Sequence, residues 1–329
     1  YIYFLYILYK ARFYNLSHVQ VGPIQEPFGT GTAFAELSGI LDWSLTSDDN
    51  LGIAIATEKG SGDIIGYHTV NPATGIITEV LDERPVDGFT GNNGSAQAVI
   101  LNNGNIAVAY YKSNAPNNNI ISFDIVNPNT NTAVVSNNVV TNDGGIPQTT
   151  LLADGSFIIS YQRLTGSTGY YAKRYNESGT LIGSEITIST GITTNSCQTL
   201  LSDGRLLFHE NGRAKHISFT PTGNTVGSEV QVISSPLTIN DPKYTLASFK
   251  NGGFILGFRD TDNSNYLNLQ YKTYDNDGIE TFSGTKDITS KDLNLIAEHP
   301  YFNTLTNNDL IVGIGNARGN NNTNANIQL

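Results

Sequence analysis

The sequence predicts an all-β fold, a single β-propeller of six four-stranded blades closed by pairing of its two terminal segments. Three observations carry that expectation: a hairpin that recurs about every 52 residues, turn residues at fixed places in each copy, and strands apolar on both faces. The clearest hairpin is "QTTLLADGSFIISYQR", residues 148–163, in which Asp154 and Gly155 separate two runs rich in β-formers. It returns as "CQTLLSDGRLLFHE" from Cys197 and as "YTLASFKNGGFILGFR" from Tyr244.

The turn glycines set the period. Gly104, Gly155, Gly204 and Gly252 stand 51, 49 and 48 residues apart, and weaker copies place Asn50 and Asn308 at the same turn, making six. A second element follows each turn and ends in a polar turn of its own: "IIGYHTVNPATG", "IISFDIVNPNT", "YYAKRYNESGT", "AKHISFTPTGN" and "NLQYKTYDNDG". A third recurs more faintly as "LIGSEITI" and "TVGSEVQVI". Each unit thus reads as four short strands joined by Gly, Asn, Asp and Pro turns. In the strand after the turn, Phe157, Ile159 and Tyr161 share one face, and Phe254, Leu256 and Phe258 match them. Ile158 and Ile255 make the other face apolar as well. A unit of this length with both faces covered fits a propeller blade. A parallel β-helix has shorter coils, and a sandwich needs roughly 100 residues per copy.

The ends complete the count. Residues 9–24, "YKARFYNLSHVQVGPI", align with the later part of a unit, and "TLTNNDLIVGIGN" near the C-terminus aligns with the earlier part. Residues 1–38 and 297–329 are therefore expected to share a composite closing blade, with five internal blades over 39–296, all within one domain spanning 1–329. Seven blades, two of them incomplete, are the alternative. The opening "YIYFLYILYKARFY" has an apolar run too short to span a bilayer and reads as strand. The chain contains no methionine, so it reads as a processed product, a fragment or a sequence lacking its true start.

Composition narrows the function classes. Hydrophobic residues at 39% suffice for a core, whereas charged residues at 14% leave the surface to Asn, Thr, Ser and Gly. Net charge is −11 with only 18 Lys and Arg, which argues against nucleic acid as a partner. Cys197 is the sole cysteine and falls within a repeat, as a structural thiol would. Its solitude excludes an intrachain disulfide.

Candidate chemistry is scattered. His18, His68, His209, His216 and His299 include one close pair, His209 and His216, across a hairpin where a shared metal is conceivable. Asp42, Asp87, Asp143, Glu210, Asp241 and Glu298 fall in or near connections, where two carboxylates of a glycosidase could meet. The only cofactor suggested is calcium, for which Asp260 and Asp262, then Asp275 and Asp277, offer oxygen ligands at alternating positions. Hairpin turns select Asp and Asn anyway. Asn15, Asn93, Asn176 and Asn321 head N-x-S/T sequons, candidates for glycans on a secreted eukaryotic chain. The 17 tyrosines beside Asn-rich loops suit sugar binding.

Leu152, Asp154, Gly155, Phe157, Tyr171, Ala172, Arg174, Tyr175, Asn176, Gly179, Gly183 and Glu185 match a pattern, L-x-D-G-x-F … Y-A-x-R-Y-N-x-x-G … G-x-E. This resembles β-propeller-type repeats of large secreted and surface adhesin-like proteins of bacteria and some ciliates. Tyr161 or Phe258 replaces the usual Trp. The resemblance implies an extracellular or cell-surface, non-enzymatic recognition or scaffold module, with other surface proteins or glycans as partners and no membrane insertion. The competing expectation is a carbohydrate-active hydrolase that uses the loop carboxylates around the propeller axis.

Overall fold

A hairpin turn that reverses a strand in three residues needs one of them at positive φ, which glycine adopts without a Cβ clash. In the computed structural model Gly104, Gly155 and Gly204 sit at φ of 82°, 85° and 84°. Each donates its amide to the carbonyl three residues back: Gly104 to Leu101 (2.9 Å), Gly155 to Leu152 (3.0 Å), Gly204 to Leu201 (3.0 Å). The preceding Asn or Asp closes the loop by accepting the amide two residues on, as Asp203 does from Arg205 at 3.0 Å and Asn103 from Asn105 at 2.9 Å.

The structure describes residues 4–5, 11–14, 20–25, 42–45, 51–59, 62–70, 77–86, 96–287, 297–304 and 310–316, with 115–117, 164, 191–195, 211–212, 221–222, 232–243 and 262–266 outside. Its strands are, first, β1 (Phe4–Leu5), β2 (Ala11–Tyr14) and β3 (Gln20–Gln25). Five sets of four follow. They are β4 (Asp42–Leu45), β5 (Leu51–Lys59), β6 (Gly62–Val70) and β7 (Ile77–Val86), then β8 (Ala96–Ile100), β9 (Ile106–Asn114), β10 (Asn118–Asn127) and β11 (Thr132–Thr141). The third set is β12 (Gly145–Leu151), β13 (Phe157–Arg163), β14 (Gly169–Tyr175) and β15 (Leu181–Thr190); the fourth is β16 (Ser196–Leu200), β17 (Leu206–Glu210), β18 (Arg213–Thr220) and β19 (Gly223–Gln231). The fifth is β20 (Tyr244–Ser248), β21 (Phe254–Thr261), β22 (Leu267–Tyr274) and β23 (Glu280–Asp287), and β24 (Ala297–Thr304) and β25 (Leu310–Asn316) end the described chain.

Each set of four forms one antiparallel sheet in sequence order, so the expected β-propeller-type organisation of repeated four-stranded sheets is present. The terminal segments form two further sheets. Residues 11–14 pair with 20–25 in a separate two-stranded sheet, the partner nearest in sequence and cheapest in loop closure. It is β1 that meets the C-terminal segment, Phe4 opposite Val312 and Leu5 opposite Gly313, in a parallel pair beside β25 and β24.

Alternate strand residues enter different interfaces. Phe157, Ile159 and Tyr161 pack with Phe123, Ile125 and Ala109 of the preceding sheet, while Ile158 packs with Leu206, Phe208 and Ile217 of the next. Leu207 and Ala214 carry the pattern on to Phe254, Leu256 and Tyr274. The Phe123 and Phe157 rings meet edge to face at 5.5 Å.

Two members of the sequence pattern, Asp154 and Arg174, form an ion pair within one sheet. The Arg174 side chain, 5% exposed, donates from Nε to the Ser156 hydroxyl at 2.9 Å and lies 5.5 Å from the Phe219 ring centre in the neighbouring sheet. Burial would raise the Asp154 carboxyl, but the Ser156 hydroxyl and amide, with Arg174, bring it below its ordinary value.

Gly204→Ala is expected to cost roughly 1–2 kcal/mol, the penalty of a Cβ at positive φ, because nothing lies within 4 Å of the added atom. Gly253→Ala adds a clash, its Cβ falling 2.3 Å from the Tyr274 carbonyl, and its urea midpoint is expected to drop further. Equal midpoints for the two variants would contradict this account of the turns.

Candidate functional site

Antiparallel pairing sorts the connections between two ends of the sheets. One end holds the tight turns, among them 101–105, 152–156, 201–205 and 249–253. At the other, among the described residues, the innermost strands begin and the outermost strands end, joined at 142–144 between β11 and β12. Connections on a repeated scaffold are where binding and catalytic groups accumulate.

Four of the six candidate carboxylates, Asp42, Asp143, Glu210 and Glu298, fall at this second end. Asp42 opens β4, Glu298 is the second residue of β24, Glu210 closes β17, and Asp143 stands two residues before β12. Asp87 and Asp241 lie outside the described residues. Spread through the sequence, the four are gathered by strand direction alone.

Two have described surroundings. Both Asp143 carboxylate oxygens accept the Thr165 amide, at 3.0 and 3.1 Å, while its own amide donates to the Thr141 hydroxyl at 3.2 Å. The next residue, Gly144, donates to the Asn119 carbonyl at 2.7 Å. Glu210 is half-buried and stands opposite Arg213 in register. It is the fifth residue of its strand, a place where β9 and β13 bury Tyr110 and Tyr161. Because β17 has five residues against seven in β13, this carboxylate reaches the rim where its neighbours continue as strand.

Other polar groups near the axis are committed to joining sheets. Gln97 accepts the Thr149 amide at 2.7 Å, Gln148 donates to the Ser196 carbonyl at 2.8 Å, and Gln198 donates to the Thr150 hydroxyl at 2.8 Å. Glu185 accepts from the Tyr161 hydroxyl and from Arg163 at 2.7 Å, with the guanidinium 4.2 Å from the Tyr171 ring centre. Burial, then the Glu185 hydrogen bond and charge, push the Tyr161 hydroxyl above its ordinary range.

Cys197 and His209 face each other in register, with Sγ 3.8 Å from Nδ1. Burial pushes the Cys197 thiol up and holds His209 down to about 3, so the two stay neutral and make no thiolate–imidazolium pair. His209 packs 4.6 Å from the Tyr244 ring centre, whereas His216 has its Nδ1 3.3 Å from Arg205 at the tight-turn end. The two histidines thus have different partners, and among the described residues no group of three His, Cys, Asp or Glu could hold a metal.

Of the calcium candidates, Asp275 accepts the amides of Asp277 (3.0 Å) and Ile279 (2.8 Å), and Asp277 pairs with Arg205 at 3.1 Å. Asp260 stands opposite Asn268 on β21, and Asp262 lies outside the described residues. Asn15, Asn93 and Asn321 also lie outside them. The Asn176 side-chain oxygen accepts the amides of Ser178 (3.1 Å) and Thr180 (2.8 Å) within its turn. Arg205, which ties two sheets together through Asp203, Asp277 and the Asn276 carbonyl, had no signal in the sequence beyond its place after a turn glycine.

No family model and no curated protein matches this sequence. Among solved structures, an ulvan lyase of a polysaccharide lyase family matches 89% of this chain and 80% of its own, with a TM-score of 0.50 and 11% identity. A Hadza microbial sialidase matches 80% of this chain and 60% of its own, with a TM-score of 0.51 and 10% identity. At such identity the likeness is one of fold. It corrects the expectation of a non-enzymatic recognition module, since both folds are those of carbohydrate-active enzymes. Among the described residues, no helix is long and apolar enough to cross a membrane.

His209 yields a test of the interior next to this end. Its value is lowered from 6.5 to about 3, so the unfolded chain takes up a proton below 6.5 that the folded chain refuses until about 3. Stability is therefore expected to fall as pH drops through that window, by about 3 kcal/mol at pH 4.5 relative to neutrality. Urea titrations of wild type and His209→Leu at both pH values check this: the variant is expected to lose most of that dependence, and an unchanged slope would contradict it.

Proposed function

We propose that this chain is a carbohydrate-active enzyme whose site lies at the end of the propeller where the innermost strands begin. The observation that carries the reading is the placement of Asp42, Asp143, Glu210 and Glu298 at that one end by strand direction. Cleavage of a glycosidic bond needs two carboxyl groups about 5–10 Å apart, one to protonate the leaving oxygen and one to attack the sugar or activate water. Asp143 has the fixed orientation that the Thr165 amide confers. Glu210 has the half-buried rim position that suits proton donation to a bound glycan. The low charged fraction of 14% and the Asn- and Thr-rich surface fit a secreted setting.

The reading takes the ring as six blades, the last shared by the two termini. Two features support it: Phe4 and Leu5 lie beside Val312 and Gly313, and β24 runs next to β4 as well as β20.

Asp143→Asn and Glu210→Gln are each expected to reduce turnover by roughly 10²–10⁴-fold, the usual share of a general acid or base. Release of reducing ends and of unsaturated products would be followed across a panel of polysaccharides and aryl glycosides. Absence of turnover on the whole panel, or full activity in both variants, would refute the assignment. For ring closure, deletion of residues 1–28 is expected to cost several kcal/mol, comparable with a small domain's margin of roughly 5–15 kcal/mol, and to promote association through the bared edge of β25. Identical melting temperatures and monomeric elution for both chains would contradict closure.

A further inference from the structure

At the tight-turn end, opposite the carboxylates, the β20–β23 sheet carries a groove of about 680 Å³ between the turns at 249–253 and 275–279. One departure from the repeat lies in its lining. The residue after the turn glycine is Ser156 in one sheet, where its hydroxyl accepts from Arg174, and Arg205 in the next. Arg205 extends across to the Asn276 carbonyl and Asp277, both at 3.1 Å, and fills the space between two sheets. The same place in the β20–β23 sheet is Gly253. No side chain is possible there, because φ is +85° and a Cβ would lie 2.3 Å from the Tyr274 carbonyl. The Gly253 amide donates instead to the Asn276 side-chain oxygen at 2.6 Å, and the groove opens between the two turns.

The lining is half polar and half apolar in character. Phe249 offers a half-buried ring, and the Thr273 and Thr281 hydroxyls lie 2.8 Å apart at the wall. Asp275 and Asp277 supply carboxylates at the rim, the second of them 76% exposed. An aromatic face beside hydroxyls and carboxylate acceptors matches the C–H face and hydroxyl edge of a sugar. Two carboxylates disfavour uronates and sulfated sugars. The volume lies within the roughly 300–1,000 Å³ of small-ligand sites. We infer that this groove is a second, non-catalytic binding site for a neutral saccharide, at the opposite end of the sheets from the proposed catalytic end and independent of it.

Calorimetric titration of the full chain with neutral cello-, xylo- and manno-oligosaccharides tests this, with Phe249→Ala and Thr281→Arg as variants. Thr281 is exposed, and an arginine there can reach Asp275 and Asp277 and plug the groove, so that variant decides the matter if Phe249→Ala fails to fold. Binding of at least one oligosaccharide to the full chain, weakened at least tenfold in the folded variants and retained in Glu210→Gln, is the expected result. No binding to the full chain, or binding unaffected by Thr281→Arg, would overturn the proposal. So would binding abolished by Glu210→Gln. A titration with calcium alone that gives heat lost in Asp275→Asn would reassign the groove to a cation. Binding at the groove without turnover on any substrate would refute the catalytic reading and leave this one standing.

Discussion

Every described sheet between β8 and β23 must bury both of its faces, and the rest of the structure follows from that constraint. Consecutive residues of one strand, Phe157 and Ile158, are both fully buried yet belong to different clusters, one shared with the preceding sheet and one with the next. A sheet covered on one side only would tolerate alternating polar positions. Here an unpaired sheet would expose an apolar face, so the units stabilise one another in series rather than singly. The near-axis glutamines work in the same direction. Gln97 and Gln148 spend their amides on neighbouring innermost strands, which fixes the height of each sheet relative to the next.

The two ends of the sheets then have different freedoms. At one end the chain turns in a few residues, and each turn is specified by a glycine at positive φ and an Asx acceptor. At the other it passes from the outermost strand of one sheet to the innermost strand of the next, as at 142–144. Variation is inexpensive in a connection and costly in a packed strand. Chemistry that differs from copy to copy therefore belongs at the second end, where the carboxylates are found.

The period was legible in the sequence because a positive φ demands glycine wherever the hairpin turns, as at Gly104, Gly155 and Gly204. Convergence of Asp143 and Glu210 on one end was not legible from spacing, since it depends on which way each strand runs. The four aspartates at 260–277 show the opposite difficulty. Asp275 has the residue type of a cation ligand but accepts backbone amides, and Asp277 meets a guanidinium, uses that a ligand pattern cannot distinguish. The expectation of a scaffold drew on Asp154, Arg174 and Glu185, and these residues hold turns and strands together. A pattern made of such residues reports architecture and is silent about activity.

In a repeat protein, the residues that keep the pattern explain the fold, so the residues that break it are where function should be sought. Three breaks stand out in the described sheets. Cys197 occupies the place that Gln97 and Gln148 hold in the two preceding sheets, and there the bridging amide gives way to a half-buried thiol against His209. That break is filled by packing. Glu210 replaces a buried tyrosine and brings a carboxylate to the rim. Gly253 stands where the preceding sheet has the bridging Arg205, and it lines a groove. Glu210 and Gly253 lie at opposite ends of the sheets, the first at the proposed catalytic end and the second at the groove.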